Sequence, residues 1–242
     1  MDQIAPNISL RLSNTPDDVN VVRGVLGAFA ALLELDPLEG ADIDTAVTET
    51  CMNVVRHAYD GARGPMEVDI GGRGDELEVT VRDRGIGIRP HIGERRQPHT
   101  RLGMPIVHAH TSSLLFRKRS VGGTEVRMTF STPGAVQPGP PAEQPPWPDG
   151  GEHPASGRLD AMLAPPEVAR AILPRLLGAL AAQAGIPPDR RPDVERFCAS
   201  VLEATGLEPM LLAAAPGACE LHVSARATAS APAQQLSVRS EG

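Results

Sequence analysis

The chain is poor in lysine, aromatic residues and cysteine, and these shortages exclude several kinds of site. Of 23 basic residues only Lys118 is a lysine, and it lies in the strand-like run LLFRKRSV. A Walker A site and a eukaryotic-type protein kinase both need a lysine placed after a glycine-rich loop, so both are excluded. The three cysteines, Cys51, Cys198 and Cys219, are unclustered and lie in apolar surroundings. This favours reduced, buried thiols over disulfides or a metal site.

Long apolar runs and an excess of positive charge are also missing. No apolar run reaches the length of a membrane span, and the N-terminus MDQIAPNISL has neither a basic start nor an apolar core. We therefore expect no membrane partner, no secretory signal and a cytoplasmic location. The net charge is −7, and neither side of Ser131 is basic, which argues against direct binding of nucleic acid.

Composition divides the 242 residues into four parts. Residues 132–157 contain eight prolines and five glycines, which predicts a linker rather than packed structure. A first domain over residues 1–131 precedes it, and a shorter unit over 158–223 follows. Residues 224–242 are small and polar, which predicts a disordered tail.

The first domain alternates between strand and helix patterns. After the strand ISLRLSN, the run Thr15-Pro16-Asp17-Asp18 predicts a capped helix start, and a second helix is predicted from about Ala41 to Tyr59. The pairs MEVDIGG with ELEVTVRD and LLFRKRS with TEVRMTF predict two hairpins, and MPIVHAHTSS predicts a short helix between them. Consecutive hairpins with separate helices indicate an α+β fold, with the sheet on one side and helices on the other.

The second unit resembles the beginning of the first. At an offset of 151 residues, VLGAFAA from Val25 matches LLGALAA from Leu176, and Asp42-Ile43 matches Asp193-Val194. After a two-residue insertion, MEVDI matches CELHV. Two Ala- and Leu-rich helices look alike by chance, but three matches in the same order favour a degenerate duplication.

The second predicted helix carries two polar residues on one flank of its apolar stripe. Glu49 and Asn53 are one helical turn apart. An amide oxygen suits a hard cation and a carboxylate suits accepting a proton, although for this pair taken alone an ordinary polar flank is the better explanation. His57 points nearer the core, which predicts a packed, hydrogen-bonded histidine.

Polar and glycine residues also follow the strands. Asp83 ends ELEVTVRD, where its carboxylate could accept a hydrogen bond from an amino group of a flat heterocycle, and Gly85 and Gly87 allow close backbone approach. Gly103 precedes a predicted helix whose N-terminal amides suit an anion. Thr124 opens the last strand. A strand-closing turn, a loop glycine and a hairpin account for the same letters without any ligand.

Taken in order, four segments resemble the conserved boxes of the GHKL ATPase superfamily: ETCMNVVRHAY, DRGIG, RLGM and GGTEV. The HAY sequence and the opening helix PDDVNVVRGVLGAF resemble most closely the bacterial anti-sigma-factor serine kinases of the sporulation and general-stress type. The resemblance covers roughly residues 7–131. It implies a two-layer α/β sandwich of the Bergerat ATP-binding fold, with a mainly antiparallel sheet, and it implies ATP and Mg²⁺ as cofactors.

The resemblance also implies roles for seven residues: Asn53 as Mg²⁺ ligand, Glu49 as general base, Asp83 as adenine acceptor, Thr124 as a second adenine-side contact, and Gly85, Gly87 and Gly103 as backbone elements at the phosphates or lid. The chain departs from the family pattern in two places. Arg101 replaces a glycine that usually opens the second glycine box, and the lid, Arg89 to Thr100, is short.

The second unit lacks this set of residues. Ser200 and Ala204 occupy the positions that match Glu49 and Asn53, and no glycine box follows them. The second unit therefore has no ATP site of this type.

Two functions follow from the resemblance. The first is an ATP- and Mg²⁺-dependent anti-sigma factor and serine kinase that phosphorylates an anti-anti-sigma partner of the STAS type and binds a sigma factor, with a homodimer as one assembly. The alternative is a nucleotide-binding switch that binds a protein without phosphotransfer. Glu49 favours the kinase, whereas Arg101 and the short lid favour the switch. A histidine kinase module is disfavoured, because no helical dimerisation segment with a phosphoacceptor histidine precedes the domain.

Overall fold

The computed structural model describes residues 7–86, 103–120, 122–135, 158–205, 210–217, 220–227 and 233–239. Within these residues, nine strands form one antiparallel sheet in the order β4-β5-β3-β2-β1-β6-β7-β8-β9. The helices pack on the face to which the buried residues of the strands point. The α+β class and the two-layer arrangement are therefore as predicted.

Within the described residues, the first part of the chain forms five strands and three α-helices. In chain order they are β1 (Ile8–Ser13), α1 (Pro16–Leu32), α2 (Pro37–Asn53), β2 (Pro65–Arg73), β3 (Glu76–Asp83), α3 (Gly103–His110), β4 (Ser113–Lys118) and β5 (Thr124–Ser131).

Local side-chain chemistry sets the start of the first two helices. Thr15 caps α1 by accepting the backbone N–H of Asp18 at 3.1 Å, as its sequence predicted. Helix α2 begins at Pro37, earlier than the predicted Ala41, because Asp36 accepts the N–H of Leu38 at 2.8 Å. A proline at the first helical position then costs no hydrogen bond.

Helix α2 does not continue as an α-helix to Tyr59. Residues Val54–Ala58 instead form a π-helical turn. Because a π turn holds more residues than an α turn, it rotates the following side chains around the axis. His57 is exposed as a result, so the prediction that it is a packed histidine was wrong.

The second unit extends the same sheet from β1 outward. Its elements are β6 (Leu159–Leu163), α4 (Pro166–Gln183), a short 3₁₀ turn (Pro188–Arg190), α5 (Arg191–Thr205), β7 (Met210–Gly217), β8 (Glu220–Ala227) and β9 (Gln234–Arg239). The tail predicted over 224–242 is thus wrong in part. The end of β8 and the whole of β9 lie in it. In QQLSVR, Leu236 and Val238 alternate with polar residues and pack on the core, as a strand with one buried face requires.

The strand register also corrects the proposed match between the two units. Met66 of β2 lies opposite Leu12 of β1, and Met210 of β7 lies opposite Leu163 of β6. The counterpart of MEVDI is therefore MLLAA at the start of β7. CELHV includes the beginning of β8, one strand further from the centre, so its match to MEVDI was wrong.

The core is continuous beneath both units. The apolar stripe predicted on the second unit, which comprises Leu173, Leu176, Leu177 and Leu180, is fully buried. Cys51 and Cys198 are buried free thiols, and burial raises the pKa of Cys51 to about 12. Among the helices that the structure describes, none is both long and apolar enough to cross a membrane.

Candidate active site

Asp83 is the centre of a buried polar cluster at the end of β3. Its residue is 5% exposed, and its Oδ1 accepts the backbone N–H of Gly85 at 2.8 Å. Thr124, at the start of the neighbouring β5, donates to it from both backbone and side chain. Burial nevertheless raises the pKa of the Asp83 carboxyl, and these hydrogen bonds oppose that rise. Two carboxylate oxygens offer about four acceptor positions, which leaves room for a further donor.

Two glycines allow the backbone to close tightly around this carboxylate. A Cβ at Gly85 would lie 1.9 Å from the carbonyl oxygen of Ala58, and one at Gly123 would lie 2.1 Å from that of Asp83. Gly123 also has a φ of +84°, which favours glycine. The sequence prediction included Gly85 but not Gly123; the Gly-Gly pair before Thr124 was the available signal.

Tyr59, the sole tyrosine of the chain, fixes the loop after β3 from the other side. Its hydroxyl donates to the carbonyl of Pro65 and accepts the backbone N–H of Arg84 at 2.8 Å. Burial raises its pKa to about 12, so it remains a neutral donor at physiological pH. The prediction gave Tyr59 no role, although the HAY sequence contains it.

Glu49 and Asn53 lie on α2, and both are half-buried, as the helical spacing predicted. Arg56 lies near Glu49, with 3.8 Å between its Nη1 and the Glu49 Oε1. Asn53 is the last residue of α2 and leads directly into the π turn, whose last residue, Ala58, accepts the N–H of Ile86 at 2.9 Å. The π turn therefore connects the Glu49–Asn53 helix to the Asp83 loop. Such turns occur frequently at functional sites.

Of the remaining predicted residues, Gly103 is itself the first residue of α3, one position before the predicted start at Met104. Helix α3 packs on α2, and His110 of α3 contacts Asp42 of α2, with 3.1 Å between Nδ1 and Oδ1. Gly87, Arg101 and the predicted lid from Arg89 to Thr100 lie outside the described residues.

In the second unit, the residue that matches Glu49 is Ser200, which forms hydrogen bonds with a neighbouring strand. Ser200 on α5 donates to the side-chain oxygen of Gln234 on β9 at 3.1 Å, and the Gln234 amide donates back to the Ser200 carbonyl at 3.3 Å. These bonds tie the helix to the outermost strand. Ser200, at the position that matches Glu49, is thus hydrogen-bonded to Gln234.

The oxygen donors of the first unit fit a magnesium ion that is held mainly by its nucleotide. No group of three or more histidine, cysteine, aspartate or glutamate side chains is gathered in the described parts of the chain. Mg²⁺ commonly uses only one or two protein oxygens and takes its other ligands from phosphates and water. The Asn53 amide oxygen at the end of α2 can supply one such protein ligand, which leaves the Glu49 carboxylate, one helical turn away, free of the ion.

Comparison with known proteins identifies the family. The profile of the histidine kinase-like ATPase domain matches residues 12–130. An anti-sigma F factor of Thermoanaerobacter sp. (strain X514) is 30% identical over 131 residues, which cover 50% of this chain and 91% of that protein. The chain belongs to the histidine kinase-like ATPase family.

Other members of this ATPase family align over a shorter stretch. The serine-protein kinase RsbW of Bacillus velezensis is 35% identical over 79 residues, covering 32% of this chain and 49% of the kinase. This chain thus spans about half the length of such Bacillus kinases. A crystal structure of the RsbU and RsbW domains of Rv1364c from Mycobacterium tuberculosis shows 24% identity and a TM-score of 0.38 over 54% of this chain and 33% of that one. At that TM-score the similarity adds nothing to the assignment.

Proposed function

We propose that this histidine kinase-like ATPase binds Mg·ATP in its first unit and acts as an anti-sigma factor and serine kinase toward an anti-anti-sigma protein of the STAS type. The observation that carries the proposal is the buried Asp83 cluster, joined through the π turn to the helix that bears Glu49 and Asn53. The names of its relatives, serine-protein kinase and anti-sigma F factor, support the same activity.

In this proposal the Asp83 cluster selects adenine. The exocyclic amino group of adenine donates to the Asp83 carboxylate, while Gly85 and Thr124 hold that carboxylate in place. Thr124 provides a second contact on the adenine side. A buried acceptor that requires a donor discriminates strongly against bases that lack one at that position, because the unmatched group stays unpaired.

The Glu49–Asn53 side of the site performs the transfer. The Asn53 amide oxygen would hold the magnesium ion, which when bound would neutralise charge on the phosphates. Glu49 accepts the proton of the partner's serine hydroxyl as the serine oxygen bonds to the γ-phosphorus and the bond between that phosphorus and the β–γ bridging oxygen breaks, which leaves ADP. Gly87 and Gly103 supply backbone donors to the phosphates or to the lid over them. The Gly85 N–H is already donated to Asp83, so Gly85 acts there by letting the backbone approach closely.

One experiment separates the kinase from the nucleotide-binding switch. The purified chain is incubated with Mg·ATP and a candidate STAS-domain protein, and phosphoserine on that protein is measured by mass spectrometry. We expect phosphoserine with ATP, none without Mg²⁺, and formation of a complex with a sigma factor by gel filtration. Tight ATP binding and a sigma complex without phosphoserine would establish the switch instead.

A further inference from the structure

The two units of the chain meet through their corresponding first elements. Strand β1 pairs with β6, antiparallel, and helix α1 packs on α4. We call the surface formed by these four elements the seam. Each element is the first strand or the first helix of its own unit, so each unit offers the same part of its fold to the other.

The pairing of residues between β1 and β6 follows two-fold symmetry. Leu10 lies opposite Ala161, which is 151 positions further along the chain, the same offset that relates Val25 to Leu176. Leu10 therefore pairs with its own counterpart. In a two-fold interface a residue on the axis faces its own copy, and the pairs on either side are reciprocal.

The strands outside the seam repeat the same arrangement. The hairpin closing pair Arg73–Glu76 in the first unit corresponds to Gly217–Glu220 in the second, each 144 positions apart. Beyond it, β9 pairs with β8 as β5 pairs with β3. From the seam outward, both units present the same order of equivalent strands.

We infer that the second unit takes the place of a second copy of the first, so that the chain contains its own dimer partner and closes the seam against other chains. The proposed kinase activity is not needed for this inference. A sheet edge and an apolar helix face that would otherwise attract another molecule are covered from within the same chain.

Polar contacts at the seam are suited to this one partner. Asn7 is fully buried at the start of β1, and its amide donates to the carbonyl of Ala164 at 3.3 Å while its side-chain oxygen accepts the N–H of Gly72 at 3.0 Å. Across the helices, the Gln183 amide donates to the Asp18 carboxylate at 3.3 Å. The bonds to Ala164 and from Gln183 cross the seam and break if the units separate, whereas the Gly72 bond fixes the Asn7 side chain within the first unit.

The test uses the full chain. Analytical ultracentrifugation of the intact protein across a wide range of concentration should give the mass of one chain, 25.5 kDa, throughout. A protease site inserted between residues 136 and 157 then allows the connection to be cut after folding. We expect the cut protein to sediment at the same mass, with both fragments present in equal amounts.

A substitution in the seam makes the test specific. Gln183→Glu places a second carboxylate against the buried Asp18, which should weaken association of the cut fragments by about tenfold or more. The matched control is Gln234→Glu, which makes the same change on β9, outside the seam, and should leave the fragments together. The first fragment, once released, should pair with a second copy of itself, because its β1 edge and α1 face are then open.

Four results would overturn the inference. The first is an intact chain that forms a two-chain species, and the second is a pair of fragments that separate as soon as the connection is cut. The third is equal weakening by Gln183→Glu and Gln234→Glu. The fourth is a released first fragment that circular dichroism shows to be folded but that sediments as a single copy.

Discussion

The two units use the same scaffold but differ in one connection. Between β3 and β5 the first unit has residues 84–123, which contain α3, β4, the segment RLGM and all of DRGIG except Asp83. Between the corresponding β8 and β9 the second unit has only residues 228–233. Both units keep the sheet and the two long helices. The difference teaches that the scaffold folds without this connection, whereas the proposed nucleotide site requires it.

The largest effect should come from removing the proposed base. Glu49→Gln keeps the shape and the hydrogen bonding of the side chain but cannot accept a proton, so phosphoserine formation should fall by about 10²–10⁴-fold while ATP binding is kept. Rapid-quench measurements of phosphotransfer test this. Glu203→Gln on the exposed surface of α5 is the matched control and should change nothing. Wild-type rates in the Glu49 variant would remove it from this role.

A backbone clash at the site should have the next largest effect. In Gly85→Ala the new methyl group meets the Ala58 carbonyl at 1.9 Å, so the π turn and the Asp83 loop must separate. We expect a loss of about 1–3 kcal/mol in the free energy of unfolding and at least a matching loss of ATP affinity. Gly178→Ala in the second unit, where no atom lies within 4 Å, should be neutral or stabilising. Denaturant titration and calorimetry measure both quantities.

Asp83→Asn should weaken ATP by about 1–3 kcal/mol, because the amide offers a donor where adenine also offers one. GTP, which presents a carbonyl oxygen at that position, should lose less or gain. Asp75→Asn in the exposed β2–β3 turn serves as the control. Competitive binding of the two nucleotides measures the ratio, and parallel losses for ATP and GTP would refute the adenine contact.

The pH dependence of ATP binding should depend on the Asp83 side chain. Because burial raises the pKa of Asp83, its carboxylate takes up a proton at a higher pH than an exposed aspartate does. ATP affinity should therefore fall as pH drops through this raised pKa, and Asp83→Asn should flatten the profile. The free energy of unfolding should change with pH in the opposite direction. The contribution of Asp83 to stability is fully present below the usual aspartate pKa and declines as pH rises through the raised one.

The smallest effect is expected from restoring the Glu and Asn residues in the second unit. Ser200→Glu with Ala204→Asn restores the two helix residues but not the missing connection between β8 and β9. We expect one bound nucleotide per chain by calorimetry, as in the wild type. A second bound nucleotide would show that the helix pair alone is sufficient, against the comparison drawn above.

Sequence patterns predicted those parts of the fold that depend on local alternation and capping. The strands of the two hairpins and the Thr15 cap follow from residues near one another in the chain. The flank position of Glu49 and Asn53 follows from helical spacing. The π turn could not be predicted from the sequence, because α-helical and π-helical turns accept the same residue types. Which of the two forms depends on contacts that exist only in the folded chain. His57 was therefore placed on the wrong side.

Pairing between strands that are far apart in the sequence was harder to predict. The sequence MLLAAAPG lacks a polar alternation, so β7 gave no strand signal and MEVDI was matched to CELHV, one strand too late in the chain. The pairing of Leu10 with Ala161 depends on the two units meeting edge to edge, which no local pattern encodes. Gly123 and Tyr59 were missed because their roles lie in contacts with Asp83 and Arg84 that only the folded chain creates.

The covalent connection across the seam changes how the molecule responds to its own abundance. Two separate subunits come apart when they are diluted, so their paired fraction varies with expression level. Units joined by a short connection encounter each other at an effective concentration of about millimolar, whatever the amount of protein in the cell. Assembly of this sheet is therefore a first-order event, completed as each chain folds, and its extent is the same in a cell with few copies as in one with many.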